Sequence, residues 1–299
     1  MQLFIGNIDF IKNRYRFFIF SGLLLLITMF ALIVRHGPNL GIDFKGGIIM
    51  QISLHNNYNV TLNDIRDIIR KHGVKSFEIQ NLENSIILKI KKMNKLQEEF
   101  NILEAIKNSI QLKFINNSVI IEKIDYVGPT IGKFFLKQAI YSFLFAIVGI
   151  IVYVSFRFKS NLWGLFAIVG IIHDVIISFG FIVLANKEIN MIVIVALLTI
   201  AGYSINDTIV LFDRIKENLK FHKNLDIKTV INKSINEILT RTIITSLMVL
   251  IVACSLFILG GEVIHTFSYV MIIGTILGVF SSIFICSQLI YEYEKTKQL

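Results

Sequence analysis

Long runs of apolar residues recur six times along the chain, and polar segments of unequal length separate them. Each run is long enough to cross the roughly 30 Å of bilayer hydrocarbon as an α-helix. The pattern therefore predicts an α-helical polytopic membrane protein with six transmembrane helices. They cover about residues 17–34, 138–156, 162–184, 189–212, 242–259 and 266–290, and they divide the chain into 1–35, an intervening domain at 36–136, and 137–299.

Residues 36–136, between the first two runs, follow the alternation of a globular domain instead of the uniform apolarity of the membrane runs. In its amphipathic helix we expect Thr61 as the N-cap and Gly73 as the stop. The order β-α-β-β-α-β predicts a ferredoxin-like α+β domain, a fold that hosts many functions. Its sequence offers no catalytic triad or phosphate loop, which favours a binding or mechanical role over an enzyme. Strands are expected at 47–54, 75–82, 84–90 and 117–128, and helices at 61–73 and 95–110.

A glycine-rich stretch, GIDFKGG, stands at the entrance to this domain. It places Asp43 and Phe44 between Gly41 and the pair Gly46 and Gly47. Glycine tolerates turn and bulge conformations that other residues resist. Local physics therefore predicts a turn plus a bulge at which the first strand of the domain begins.

Charge and composition agree with a membrane protein and give it an orientation. Hydrophobic residues make up 54% of the chain and charged residues only 17%, which is unusual for a soluble domain. The net charge of +9 would suggest nucleic acid in a soluble protein, but here the basic residues stand at the ends of the apolar runs. By the positive-inside rule, both termini and the basic loop at 213–240 lie in the cytoplasm and residues 36–136 outside. We therefore expect membrane lipid around the chain and no nucleic-acid partner.

The fourth apolar run carries a carboxylate, Asp207, well inside its helix. Insertion scales put the cost of an aspartate near the bilayer centre at about 2.5–3.5 kcal/mol, so stability does not explain it. Helical spacing places Tyr203, Asn206 and Asp207 on one polar face. The cost and the shared face predict that Asp207 faces other helices and has a functional role.

Two other runs also carry ionisable residues. His173 and Asp174 are adjacent in the third run, and Arg241 stands where the fifth run begins. A single histidine in such a run is more often a satisfied core residue than a ligand, and Arg241 alone is equally compatible with a positive-inside flank. We therefore treat His173, Asp174, Tyr203 and Asn206 as accessory polar residues.

Two chemistries fit Asp207. In the first, Asp207 carries a proton across the membrane while its charge is coupled to a pairing with Arg241. In the second, Asp207 and Asp174 form an intramembrane aspartyl dyad that activates water for peptide hydrolysis. The sequence disfavours this protease, because it lacks a Gly-x-Gly-Asp signature before Asp207 and places Asp174 at a different depth. A passive scaffold, in which the polar residues only pack helices, is the third reading.

Four stretches together closely resemble the SecF family of the resistance-nodulation-division superfamily: GIDFKGG, HDV, GYSINDTIVLFDRIKEN and NKSINEILTRTIITS. SecF is the smaller membrane subunit of the bacterial SecDF protein-export complex. The resemblance covers nearly the whole chain, with the motifs in the family's order. By this resemblance, Asp207 is the proton-path aspartate and Arg241 its partner, and GIDFKGG is a structural element of the family.

The resemblance also implies a function and partners. The expected function is promotion of late-stage protein export across the inner membrane by the proton motive force, with no cofactor, catalytic residue or metal. SecD is the expected heteromeric partner, with the SecYEG channel, YajC and unfolded preproteins as further partners. Independently, six spans with one outer domain are half of a pseudo-symmetric transporter, which predicts a partner with six more. The alternative is half of another proton-driven exporter in the superfamily, for small molecules or lipids.

Overall fold

The structure is a computed structural model that describes residues 8–55, 62–74, 77–82, 85–91, 96–113, 118–158 and 161–298. The chain forms two compact units. The membrane unit comprises the residues up to Asn39 and those from Tyr141 onward, and the sheet unit comprises Leu40–Ile140. Along the chain the elements are α1 Arg14–Val34, α2 Ile42–Lys45, β1 Gly47–His55, α3 Leu62–Lys71, β2 Phe77–Leu82, β3 Ser85–Lys91, α4 Leu96–Lys113, β4 Ser118–Val127, α5 Pro129–Arg157, α6 Asn161–Leu184, α7 Met191–Phe221, α8 Ile227–Leu259, α9 Glu262–Ser281, a π-helical turn Ser282–Cys286, and α10 Ser287–Gln298.

Six helical stretches in the described chain are long and apolar enough to cross a membrane, as the sequence predicts. They are α1, α5, α6, α7, α8 and the continuous stretch formed by α9, the π-helical turn and α10. Burial differs strongly among them. Half or more of the apolar window is buried in α6, α7 and the last stretch, but only 17%, 11% and 17% in α1, α5 and α8. The three buried stretches therefore form the interior of the membrane unit.

Helices α7 and α8 extend well beyond their apolar runs. The segment 213–240, expected as a cytoplasmic loop, is helical except for residues 222–226. The apolar residues of this segment recur at helical spacing, and Val230, Ile231 and Ile235 are almost fully buried. This apolar face packs inside the protein, so the segment expected as a basic loop is a folded part of the helical unit.

The residues before α1 pack along the start of α8. The side chain of Asn232 accepts hydrogen bonds from the backbone N–H groups of Phe10 and Ile11, at 2.9 and 3.2 Å. Asp9 accepts one from Lys228 Nζ at 2.6 Å. The Lys228 ammonium holds the pKa of the Asp9 carboxyl below its usual value, despite some desolvation. The N-terminal residues thus tie α1 to α8.

The sheet unit contains one four-stranded antiparallel sheet in the order β2-β3-β1-β4. The predicted order of strands and helices, β-α-β-β-α-β, is confirmed, with boundaries that shift by a few residues. Alternate residues of β1 and β3 point to one face, where they pack with α3 and α4. The expected cap Thr61 lies outside the described residues. The core comprises mainly Ile48, Met50, Ile52, Ile65, Ile69, Ile86, Leu88, Ile90, Ile106 and Ile110.

The GIDFKGG motif forms one helical turn, α2, and then turns sharply into β1. Gly46 and Gly47 have φ angles of 80° and 148°, which residues with a side chain strongly disfavour. A Cβ atom on Gly47 would lie 2.4 Å from the carbonyl oxygen of Ile90. One on Gly132, in α5, would lie 2.8 Å from that of Phe44. The glycines therefore allow α2 to pack closely against β3 and the first turn of α5.

The predicted turn at the glycines is present, but the expected bulge lies elsewhere in the same strand. The register between β1 and β4 shifts between Gln51 and Ile52, inside the strand and not at its start. Sequence alone did not place it, because a bulge needs no glycine when its residues stay in ordinary extended conformations.

Candidate functional site in the membrane unit

The site is centred on α7, which packs against α6, α8 and α9. Residues at positions i and i+4 share one face of a helix. Tyr203 and Asp207 therefore lie on one side of α7, and Ser204 and Thr208 lie on the adjacent side. The same two turns of α7 present a polar face to α8 and another to α6 and α9.

On the α8 side, the buried Asp207 carboxylate faces Ser246, and Arg241 lies within electrostatic range of it. The Tyr203 hydroxyl donates to Ser246 Oγ at 3.0 Å, and the Ser246 hydroxyl also interacts with Asp207. Only 4% of Asp207 is exposed, yet its Oδ2 atom has no hydrogen-bond partner among the residues that the structure describes. An unpartnered oxygen on a buried carboxylate is a site at which a proton can bind.

Arg241 acts on Asp207 through space. The positive charge of Arg241 interacts electrostatically with the carboxylate. In the described part of the chain, no ion pair within 4.0 Å joins these two residues. The carboxylate is thus close enough to sense the cation but is not held by it. This geometry suits a group whose charge changes while its neighbour's charge stays fixed.

Arg241 also lines an open cleft of about 540 Å³ with Arg214, Glu217 and Glu237. Glu237 accepts hydrogen bonds from Arg214 Nε at 2.7 Å and from Asn218 Nδ2 at 2.6 Å. Arg214 also donates to Glu217 at 2.6 Å. These charges pair across the extended ends of α7 and α8. The DRIKEN and NEIL parts of the two long motifs therefore form an ion-pair network next to Arg241.

On the other side of α7, Asp174 forms a fully bonded network. Asp174 is completely buried, and its Oδ2 atom accepts from Ser204 Oγ and from Ser281 Oγ, each at 2.6 Å. Its Oδ1 atom lies 2.9 Å from His173 Nδ1. Both carboxylate oxygens are occupied, and the bonds reach α7 through Ser204 and α9 through Ser281.

A π-helical turn follows α9 beside this network. Ser282, the first residue of that turn, shares a 2.8 Å hydrogen bond with Thr208 of α7. Cys286, the last, donates to the carbonyl oxygen of Phe166, and a Cβ atom on Gly170 would lie 2.4 Å from its Sγ atom. Such single π-helical turns are frequent near functional sites. Here the turn is bonded through Ser282 to Thr208, the residue that follows Asp207.

The structure separates the residues that the sequence grouped. It brings Tyr203 and Asp207 together with Arg241, and it places His173 and Asp174 in the other network. Asn206 is exposed on α7 and belongs to neither. Five hydroxyl residues of these networks were not predicted as site residues. They are Ser204, Thr208, Ser246, Ser281 and Ser282. For two of them, Ser204 and Thr208, the only signal was their position on α7 beside Asp207; the other three lie on α8, α9 and the π-helical turn, and Ser and Thr occur commonly in helix packing.

No group of three or more His, Cys, Asp or Glu side chains in the described ranges is arranged to hold a metal ion.

Asp174 and Asp207 interact with different partners on different helices. Ser204, which binds Asp174, lies only about 4.5 Å along the α7 axis from Asp207. The two aspartates therefore differ less in depth than the sequence suggested. They nevertheless have no hydrogen-bonding partner in common.

The family model described as protein export membrane protein SecD/SecF, C-terminal, matches residues 101–296, which is more than half of the chain. The chain belongs to the SecD/SecF family. The model for the SecD/SecF GG motif matches residues 30–57, which include GIDFKGG. The family match and the six apolar helices of the described chain together show that this is a multi-pass membrane protein.

Individual relatives place the chain among SecF proteins. It is 61% identical over 287 residues to the protein translocase subunit SecF of Endomicrobium trichonymphae, covering 96% of this chain and 91% of the relative. It is 41% identical over 294 residues to that of Calditerrivibrio nitroreducens, covering 96% and 94%. The resemblance drawn from the four sequence motifs is therefore confirmed.

Two solved structures of SecDF share the fold. SecDF from Thermus thermophilus superposes with a TM-score of 0.84 at 30% identity over 99% of this chain. SecDF in its super-membrane-facing form gives a TM-score of 0.74 at 28% identity over the whole chain. In each case this chain spans 40% of the length of the SecDF chain.

Proposed function

We propose that this protein is the SecF subunit of a SecDF complex that uses the proton motive force to promote late-stage protein export across the bacterial inner membrane. Asp207 carries the proposal. Its carboxylate is buried, one of its oxygens has no partner in the described chain, and the charge of Arg241 reaches it from the next helix. Leaving a buried polar atom unpaired costs about 1–3 kcal/mol. Such an expense fits a residue kept for proton transfer.

In this mechanism Asp207 takes up a proton from one side of the membrane and releases it to the other. While Asp207 is charged, attraction to Arg241 favours contact between α7 and α8; once it is protonated, the attraction is lost and the helices can separate. The membrane potential supplies about 2.3 kcal/mol per charge per 100 mV, enough to bias two arrangements. The gradient is the energy source, so the proposal needs no cofactor.

We propose SecD as the heteromeric partner. This chain spans 40% of the SecDF chains that it resembles. Six membrane helices are half of a pseudo-symmetric transporter. Helices α1, α5 and α8 bury little of their apolar surface inside the unit, which leaves those surfaces for lipid or for partner helices. The proposal includes the SecYEG channel, YajC and unfolded preproteins as further partners, cytoplasmic termini, and residues 36–136 in the periplasm.

We infer that the chain is not a protease. A catalytic aspartyl dyad would share one proton between two facing carboxylates. Asp174 instead uses both oxygens to bind Ser204, Ser281 and His173, and Asp207 faces α8. These separate partners support two aspartates with separate tasks.

The test is export driven by an imposed proton gradient in inverted membrane vesicles. Asp207→Asn should abolish the stimulation by the gradient while leaving ATP-driven export unchanged, because the amide cannot carry a proton. Asp226→Asn is the matched control, since Asp226 precedes α8 and its side chain makes no capping hydrogen bond. Full stimulation in the Asp207→Asn vesicles would rule out the proton-driven mechanism and favour a passive scaffold. Purification of this chain as a homodimer without a SecD-like subunit would favour the exporter instead.

A further inference from the structure

The proposed proton transfer uses Asp207 and Arg241 and leaves the network around Asp174 without a task. We propose that Asp174 is a positioning residue that holds α7 between α6 and α9, so that Asp207 faces α8 at a fixed rotation and depth. This inference rests on the proposed function of Asp207. It gives HDV, the motif in α6, a role that differs from proton transfer.

The first argument is the bonding of Asp174. A fully buried carboxylate is stable only when its oxygens are well hydrogen-bonded. Asp174 meets that condition with donors from three sources: Ser204 of α7, Ser281 of α9, and the neighbouring His173 ring. Bonds to charged groups are shorter and stronger than neutral ones, and the two serine bonds are both 2.6 Å. The carboxylate therefore connects three helices at one point.

The second argument is where this connection meets α7. Ser204 lies about one turn before Asp207, and Thr208 directly follows it. Ser204 is bonded to Asp174, and Thr208 to Ser282 in the π-helical turn. Helix α7 is therefore held on both sides of Asp207. A rotation of α7 that carried Asp207 away from Ser246 would have to break the bond between Ser204 and Asp174.

The third argument is the state of the groups around Asp174. His173 is buried, and its ring stacks on that of Phe280 with the ring centroids 6.4 Å apart. Its Nε2 atom has no partner in the described residues. The ring therefore serves Asp174 through Nδ1, which donates to the carboxylate. The Cys286 thiol is another titratable group near enough to Asp174 to feel its charge. No lysine or arginine of the described chain is bonded to Asp174, and His173 is its one basic partner. Its partners are donors of hydrogen bonds, as positioning requires.

The experiment measures gradient-stimulated export in vesicles as a function of external pH, with the complete complex. In Ser204→Ala, which removes only the link from Asp174 to α7, the pH of half-maximal stimulation should shift by at least about 0.5 unit. Asp174→Asn should shift it in the same direction by at least as much. Ser178→Ala is the matched control: it removes another buried hydroxyl from α6, and this one has no partner in the described chain. Its profile should stay at the wild-type value.

Several outcomes separate this inference from the proposed function. If Asp207→Asn retains gradient stimulation, the proposed function fails and the inference with it. If Asp207→Asn abolishes stimulation while Ser204→Ala and Asp174→Asn keep the wild-type profile, only the positioning role is overturned. Reduced abundance with an unchanged profile would show that the network is merely structural. If Asp174→Asn does not accumulate, Ser204→Ala decides alone, and hydrogen exchange of the 200–210 amides should be at least twofold faster in it than in Ser178→Ala.

Discussion

Two buried aspartates lie within about one helical turn of each other in depth, and their surroundings are opposite. Asp174 uses both oxygens in hydrogen bonds to Ser204, Ser281 and His173. Asp207 has one oxygen with no partner in the described chain and senses Arg241 only through space. The difference indicates that bonding, more than burial, separates a carboxylate that holds helices together from one that can change its charge.

After Asp207 itself, the largest effect is expected at Arg241. If its interaction with Asp207 is through space, the charge matters and the shape of the guanidinium does not. Arg241→Gln should reduce gradient-stimulated export at least about tenfold, which corresponds to about 1.4 kcal/mol. Arg241→Lys should stay within a few-fold of wild type, because lysine keeps the charge. Equal loss in both variants, in the vesicle assay, would show that the arginine binds Asp207 directly by its planar fork.

The second prediction is that amide substitutions at the two aspartates have different effects on the stability of the protein. Asp174→Asn should lower the free energy of unfolding by about 1–3 kcal/mol, because it weakens several charge-assisted bonds at once. Asp207→Asn should leave stability unchanged or raise it, since it removes a buried charge that is incompletely bonded. Thermal unfolding of the purified complex measures both. A greater loss in Asp207→Asn would contradict the distinction between the two residues.

A smaller effect is expected from one donor of the Asp174 network. Ser281→Ala removes a single 2.6 Å bond and leaves the carboxylate with its other partners. We expect a loss of about 1 kcal/mol in the same unfolding measurement. Ser178→Ala, which removes a hydroxyl that lacks a partner within the described residues, should change stability little. If the two variants behave alike, the serine bonds to Asp174 contribute no net stability.

The smallest effect is expected at Asp9, an aspartate at the surface. Lys228 lowers the pKa of Asp9 in the folded state, so its contribution is complete above the ordinary aspartate pKa and is lost as pH falls through the lowered value. Contact between the N-terminal residues and α8 should therefore loosen only in acid. Hydrogen exchange of the Phe10 and Ile11 amides measures this. In Asp9→Asn the exchange should no longer respond to pH in that range, beyond the intrinsic chemical rate.

Much of the architecture followed from patterns in the sequence. Six apolar runs predicted six helices, and alternation with period two gave the order of elements in the sheet unit. The ends of α7 and α8 were not predicted, because charged residues such as Arg214 and Glu237 look like loop residues when their pairing across two helices is unknown. The bulge in β1 was predicted at the wrong position, because the glycines were taken as its signal. Gly47 is instead required by the close approach of the backbone to Ile90.

The candidate site was predicted in part. Asp207 stood out because a carboxylate in an apolar helix is costly, and Arg241 followed from the family resemblance. The electrostatic interaction between Asp207 and Arg241 depends on how α7 packs between its neighbours. So do the hydrogen bonds that Ser204 and Thr208 make on the other face of α7. Hydroxyl residues are too common in membrane helices for their spacing alone to show which of them bind a carboxylate.

The central claim is that Asp207 changes its protonation during function and Asp174 does not. Dicyclohexylcarbodiimide reacts with protonated carboxyl groups in apolar surroundings, and mass spectrometry locates the modified residue. With the complete complex in membranes, labelling of Asp207 should increase as the pH is lowered from about 8 to about 5, while Asp174 stays unlabelled throughout. Labelling of Asp174 with the same pH dependence, or labelling of Asp207 that does not respond to pH, would contradict the account.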